Sequence, residues 1–368
     1  MRFVFFYDRE SGGVPVTTAL LACAFRRQEH RVMLCGPTST LPEKIGEELK
    51  VLGVEIIDVS IKKWIAMPRW GVERVREFAA DLLVSTHRGC DIRVGLLARR
   101  LRLPHVIVVR SDPAADDRRV KPKLLWLRNF LWRRVMRRAS AVIAVSEYVK
   151  RSIVRYGLAT EGKVSVCYNF ISPKVFTFAS KEKTGFHSPV RLLAVGRLEP
   201  EKRPFDFPQL LRILLEKGLE VAGRWVGDGS LGRKMRGEIE RTGLRGVVEL
   251  RGGINDPQNE YIWADILVNF GTDEGFGLVL IEAMAKGTPV VAFHAGAVPE
   301  VVEDGKTGFL CPVGDLECMA DKIIELSENT ELYRRLSRAA IERAKLFSEE
   351  NRVGCYEKVF RKVLERWR

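Results

Sequence analysis

The stretch Asp273-Glu274-Gly275-Phe276-Gly277-Leu278-Val279-Leu280-Ile281-Glu282-Ala283-Met284-Ala285 organises the chain. Two glycines flank Phe276 directly before a run of good helix formers, which predicts a tight turn opening into a helix. A helix start presents unpaired N–H groups and partial positive charge, a setting that suits a phosphate. Glu274 stands in the turn. Glu282 follows about two helical turns later, so both carboxylates are expected on one side. The pattern reads as an anion site with two acceptors for sugar hydroxyls. By itself it is also compatible with an ordinary loop and helix carrying a surface glutamate at each end.

Working outward, the stretch is embedded in an alternation of short apolar runs and helical periodicity. A strand is expected at Ile266–Phe270 before it and at Pro289–Phe293 after it, with Gly308-Phe309-Leu310 beyond. Upstream, the pattern starts at Arg191 with strand Leu192–Val195. A loop Gly196–Pro204 follows, then a helix to about Lys217, strand Val221–Val226, the turn Gly227-Asp228-Gly229, a helix to Thr242 and strand Val247–Leu250. The first half repeats this rhythm. Strands are expected at residues 3–7, Arg31–Cys35, Val54–Val59, Leu82–Ser85, Val106–Val109, Ala141–Val145 and Val164–Tyr168, and Ser146-Glu147 opens a helix as N-cap and early acid. Strand–helix alternation predicts parallel sheets, and two doubly wound α/β domains are expected. The boundaries drawn are a first domain at 1–172, a linker at 173–189 around Pro173, a second domain at 190–348, and a helix at 349–368 that crosses back to the first domain.

The 368 residues suit two domains, and 46% hydrophobic with 29% charged residues describes a globular protein. No apolar run reaches membrane-span length. The opening Met1–Glu10 sets five apolar residues before three charged ones, the look of a first strand and not of an export sequence. The seven cysteines have no CxxC and no histidine at metal spacing. They are expected as small buried hydrophobes or incidental thiols in a reducing cytosol, with no metal site. The net charge of +14 is lopsided: residues 1–172 hold 31 Lys+Arg against 17 Asp+Glu, and residues 173–368 hold 30 of each. The first half is therefore expected to meet something anionic.

Two loops carry the chemistry beside Glu274 and Glu282. Gly196-Arg197-Leu198-Glu199-Pro200-Glu201-Lys202-Arg203 follows a strand and spaces two cations, Arg197 and Lys202, to clamp a diphosphate. Neutralising a diphosphate leaving group is what transfer from a nucleotide sugar needs. Ser11-Gly12-Gly13 breaks the first strand and, without a GxGxxG pattern, gives no support to nicotinamide binding.

Gly196–Arg203, Glu274–Glu282, Gly287-Thr288-Pro289-Val290-Val291-Ala292 and the run Glu300–Leu310 together resemble the retaining GT-B glycosyltransferases of family 4. The resemblance is strong over 190–316. It reaches the rest of the chain more weakly, through Gly12-Gly13 and Ala144-Val145-Ser146-Glu147. It implies a GT-B fold, two Rossmann-like domains facing across a cleft, with a UDP- or GDP-linked sugar held mainly by the second, the acceptor bound by the first, and neither metal nor cofactor required. By position, Arg197 and Lys202 would bind the diphosphate, with Gly196 and Gly227 in the same pocket. Glu274 and the Gly275-Phe276-Gly277 backbone would hold the sugar, the Leu278 and Val279 amides the phosphates, and Glu282 the ribose. Gly12 and Gly13 would close over the donor. Family members often carry a histidine just after the strand matching Val106–Val109. Arg110 occupies that slot here, so Arg110, Asp112 or His87 is expected to take its role.

The second notable run, Arg118–Arg138, holds nine basic and no acidic residues, interleaved with Leu124, Leu125, Trp126, Leu127, Phe130, Leu131, Trp132, Val135 and Met136. Such a helix suits either a packed domain face or an anionic membrane surface. The reading favoured is a glycosyltransferase acting on a glycan or lipid-linked acceptor at the cytosolic face of the membrane. The alternative is a GT-B-shaped nucleotide-sugar isomerase of the 2-epimerase type. Nucleic acid is not expected as a partner, since charge is its only support.

Overall fold

The computed structural model describes residues 1–8, 12–38, 41–59, 67–113, 125–172, 176–179 and 182–367. The chain folds as two compact units, Met1–Val175 with Glu349–Arg368, and Phe176–Ser348. Residues from Phe176 onward, expected as part of a linker, therefore belong to the second unit.

Unit 1 is a seven-stranded parallel sheet in the order β3-β2-β1-β4-β5-β6-β7. Its strands are β1 (Arg2–Phe6), β2 (Arg31–Gly36), β3 (Glu55–Asp58), β4 (Leu82–Ser85), β5 (His105–Val109), β6 (Ala141–Ala144) and β7 (Val164–Val166). Between them run α1 (Gly13–Arg27), α2 (Glu43–Val51), α3 (Met67–Phe78), α4 (Arg88–Leu101), α5 (Leu125–Arg138) and α6 (Glu147–Arg155). Helices cover both faces of the sheet, so β1 reads as an unbroken apolar run with Phe3 through Phe6 fully buried. The edge strand β3 is mostly exposed and polar, which blunts the edge. The last helix of the chain, α14 (Glu349–Trp367), packs on unit 1. Phe360 stacks on Phe25 at 5.0 Å between ring centres, and the Glu349 amide donates to Ile171 O at 3.1 Å.

Unit 2 is a six-stranded parallel sheet in the order β10-β9-β8-β11-β12-β13. Its strands are β8 (Val190–Val195), β9 (Val221–Val226), β10 (Val248–Gly252), β11 (Ile266–Asn269), β12 (Val290–Phe293) and β13 (Gly308–Cys311). Its helices are α7 (Asp206–Glu216), α8 (Gly232–Arg241), α9 (Gln258–Trp263), α10 (Leu278–Ala285), α11 (Val298–Val301), α12 (Leu316–Glu328) and α13 (Thr330–Lys345). The core lies between sheet and helices, with Leu192, Phe207, Trp225, Ile266, Phe293 and Leu336 among its buried members.

The cysteine expectation is corrected. Cys167 pairs with Cys355, joining the end of β7 to α14, and Cys311 pairs with Cys318, joining β13 to α12. Their Cα atoms stand 5.6 and 5.9 Å apart, inside the range a bridge needs. Cys23, Cys35 and Cys90 are free and buried, as small apolar side chains would be. The long pair was invisible in sequence because 188 residues separate its members.

Both sheets share one property that positions ligands. After β1 the chain moves outward to β2 and β3, then returns to pair β4 on the other side of β1. After β8 it moves outward to β9 and β10, then returns as β11. Each sheet thus has a topological switch point, between β1 and β4 and between β8 and β11. In open α/β sheets such points, at the carboxyl ends of the strands, are where ligands bind.

Candidate active site

The switch point of unit 2 gathers the two loops singled out in the sequence. After β8, Gly196-Arg197 begins a loop that closes in a short 3-10 turn, Pro200–Lys202. After β11, Gly271–Gly277 leads into α10. The Lys202 ammonium and the Glu274 carboxylate form a close ion pair between these loops, with Glu274 buried. Arg197 donates to Glu201 Oε1 at 2.8 Å and keeps about a third of its side chain exposed.

Close backbone approach explains the glycines. A Cβ on Gly227, whose φ is 130°, would lie 2.2 Å from Gly196 O, and Trp225 Nε1 donates to that same carbonyl at 2.9 Å. Gly296, φ 58°, fits under Glu274, where a Cβ would stand 2.5 Å from Glu274 O. The same carbonyl accepts from the Ala297 amide at 2.9 Å. The Gly296-Ala297 support was missed in the sequence reading. Its signal is a glycine in the loop after β12, on the strand next to β11.

Gly277, φ 89°, is the N-cap of α10 and offers no side chain, so the first amides of the helix, those of Leu278 and Val279, keep their anion-binding potential. The Phe276 ring is buried, edge-on to Phe347 at 5.6 Å, and anchors the turn, leaving the Gly275–Gly277 contribution to the backbone. Glu282 lies on α10 and accepts from Tyr261 Oη at 2.6 Å. Burial raises the Glu282 carboxyl above its usual range. Tyr261, also missed in sequence, fixes that carboxyl from the neighbouring helix α9. Among the described residues no cluster of His, Cys, Asp and Glu is arranged to hold a metal ion.

The unit 1 candidates divide. His87, N-cap of α4, donates from Nδ1 to Asp8 Oδ1 at 2.6 Å, and Arg93 Nη1 reaches Asp8 Oδ2 at 3.5 Å. Gly12, φ 88°, is the N-cap of α1, and Gly13 is already the first helical residue. Arg110 turns inward. Its Nη1 donates to Asn169 Oδ1 at 2.5 Å, its Nε and Nη2 are buried without partners, and burial pushes the guanidinium down to about 10 against a smaller upward pull from Tyr356. Arg110 thus meets the chain just past β7. Asp112 is buried and accepts from Tyr148 Oη at 2.9 Å and from Ser152 of α6.

Below His87 lies a buried polar chain. Ser85 Oγ donates to Asp91 Oδ1 at 2.6 Å and meets His105 Nε2 at 2.8 Å, while Trp132 Nε1 donates to Asp91 Oδ2 at 2.9 Å. Desolvation raises Asp91 to about 7 and lowers His105 to about 3. Full burial makes these four residues structural: they pin α4 and α5 to the sheet.

Of the basic run Arg118–Arg138, residues 118–124 lie outside the described residues. In α5, Trp132 and Met136 are buried. The exposed face is segregated along the axis: Trp126, Leu127, Phe130 and Leu131 occupy its first turns, and Arg133, Arg134, Arg137 and Arg138 its last. The interleaved apolar and basic residues of the run thus occupy the two ends of one exposed face.

Residues 11–175 match the family described as Glycosyltransferase Family 4, and residues 176–343 match Glycosyl transferases group 1. N-acetyl-alpha-D-glucosaminyl L-malate synthase of Bacillus anthracis is 30% identical over 208 residues, 55% of this chain and 54% of that protein, so the match spans about half of that relative. An uncharacterized glycosyltransferase of Methanocaldococcus jannaschii is 26% identical over 291 residues, 77% and 76% of the two chains. The Anabaena protein HepE, solved in complex with UDP-glucose, superposes with a TM-score of 0.78 at 20% identity and 99% coverage of both chains. Two parallel-sheet α/β units, a lysine–glutamate pair at the second switch point and family matches across both halves lead to one conclusion: the chain belongs to the family 4 glycosyltransferases and has the GT-B fold.

Proposed function

We propose that this protein is a retaining glycosyltransferase. It moves a sugar from a UDP- or GDP-linked donor to a hydroxyl of a glycan or lipid-linked acceptor, without a metal. The observation that carries the reading is the Lys202–Glu274 pair beside the uncapped N-terminus of α10. A diphosphate arriving at the Leu278 and Val279 amides competes with Glu274 for Lys202. That exchange places a cation against the leaving group and frees the carboxylate for donor-sugar hydroxyls. Arg197 adds a second cation, and Glu282, held by Tyr261, accepts from the ribose. As the sugar–oxygen bond to the diphosphate breaks, the acceptor oxygen bonds the anomeric carbon on the same face and its proton passes to the departing diphosphate. No protein base is required in this scheme. A thermal-shift screen against UDP-, GDP-, ADP- and CMP-sugars, followed by hydrolysis assays, tests it. Absence of any shift, or inversion of a sugar centre without an acceptor, would sink it.

The exposed face of α5 supports a place at an anionic membrane surface. The apolar first turns suit the acyl boundary and the four arginines the phosphates, giving an obliquely seated helix. Among the described residues no helix is long and apolar enough to cross a membrane.

A further inference from the structure

The switch point of unit 1 carries its own pair. Asp8 follows β1 and His87 follows β4, so the two residues stand at the carboxyl ends of the adjacent central strands where the sheet changes direction. We propose that His87 Nε2 is the group that accepts a hydrogen bond from a sugar hydroxyl of the acceptor, with Asp8 as its positioning residue. This rests on the glycosyltransferase reading and assigns the acceptor's hold on unit 1 to a named atom.

Four observations carry the assignment. First, the short Nδ1 contact to Asp8 puts a proton on Nδ1, because an ionised carboxylate only accepts, and in the neutral ring the lone pair then stands on Nε2. Second, among the described residues the His87 ring's one hydrogen bond is that to Asp8, and about a quarter of the side chain stays exposed. Third, the residues before His87 are locked: Ser85 is tied to Asp91 and His105, and Thr86 Oγ1 meets Thr18 Oγ1 at 2.9 Å and Phe6 O at 3.1 Å. A recognition group needs such support to keep its geometry. Fourth, Asp8 is seated tightly against α4, where a Cβ on Gly89 would lie 2.6 Å from Asp8 Oδ2. A mere latch between β1 and α4 would be served by Arg93, which already reaches the same carboxylate.

The test uses the full chain with 15N-labelled histidine and octyl β-D-glucopyranoside as the acceptor probe. Long-range proton–nitrogen spectra are expected to show His87 protonated at Nδ1, and its Nε2 signal to move on addition of the glucoside. In transfer assays with the nucleotide sugar giving the largest thermal shift, His87→Phe should raise the acceptor KM by ~10-fold, the loss of one hydrogen bond. Its donor KM, donor hydrolysis and melting temperature should stay at the unmodified values. A rise in donor KM with no rise in acceptor KM would assign His87 to the donor sugar and overturn the proposal. Asp8→Asn, which keeps an oxygen for Nδ1–H, should stay within about threefold of the unmodified acceptor KM, and Asp8→Ala should approach His87→Phe. A proton on Nε2, an unchanged acceptor KM in His87→Phe, or donor hydrolysis without any transfer to the glucoside each overturns the proposal. Failure to bind any nucleotide sugar would instead bring down the glycosyltransferase reading, while the tautomer and the Nε2 shift would still report on His87.

Discussion

The buried chain Asp91–Ser85–His105 makes a quantitative prediction about pH. His105 titrates near 3 in the folded protein against 6.5 for a free histidine, because burial penalises its charged form. Between those values the unfolded chain holds a proton that the folded chain lacks, so stability rises with pH by about 1.4 kcal/mol per unit. Asp91 titrates near 7 against 3.8, again through burial. Between those values the folded chain holds the extra proton, and stability falls with pH at about the same slope. From about pH 4 to 6.5 the two slopes oppose each other and nearly cancel. Removing one partner exposes the other. Relative to the unmodified protein, His105→Leu should lose stability as pH rises through this window, by about 1.4 kcal/mol per unit, and Asp91→Asn should gain it at a similar rate. Hydrogen–deuterium exchange of the β4 and β5 amides at pH 4.5, 5.5 and 6.5 reads the opening of unit 1 specifically, after correction for the intrinsic exchange rate. Profiles parallel to that of the unmodified protein, for both variants, would refute the assignment of these protonation states.

Three further outcomes are expected. Lys202→Met should weaken UDP-sugar binding by ~10- to 100-fold in calorimetry, since a charge-assisted contact contributes about 1.5–3 kcal/mol. Gly296→Ala places a Cβ 2.5 Å from Glu274 O at a φ of 58°, and should displace Glu274 at a cost of about 1–3 kcal/mol, read as lost donor affinity with an intact unit 1. Trp126→Ala combined with Phe130→Ala should reduce flotation with anionic vesicles by at least ~10-fold, because each ring contributes about 1.5–3 kcal/mol when buried in an apolar phase. Retention of full vesicle binding would assign α5 to protein packing instead.

Much of the fold was legible because parallel strands buried on both faces leave apolar runs that helices interrupt at regular spacing, as at Leu192–Val195 and Ile266–Phe270. The two loops of the candidate site were legible because Gly196–Arg203 and Glu274–Glu282 are local patterns in which a few backbone torsions and charges lie close along the chain. What escaped was long-range. Asp8 meets His87 across 79 residues, and Cys167 meets Cys355 across 188, so no local periodicity announces either pair. Tyr261 and Gly296 matter through contacts with Glu282 and Glu274 on neighbouring elements, and their own surroundings in sequence are unremarked. Arg110, in the slot after β5, meets Asn169 across 59 residues, another contact that no local pattern announces.

The return of α14 to unit 1 makes unit 2 an insertion. The chain leaves unit 1 after Val175 and re-enters at Glu349, whose amide bonds Ile171, so exit and entry are neighbours. The Cys167–Cys355 bridge brackets both crossings and closes a covalent ring around the inserted unit. A protease cut anywhere inside that ring leaves every fragment of unit 1 attached, and only reduction together with the cut releases the pieces. The same closeness of exit and entry makes unit 2 exchangeable as a cassette: the corresponding unit of a relative needs to match only two adjacent junctions.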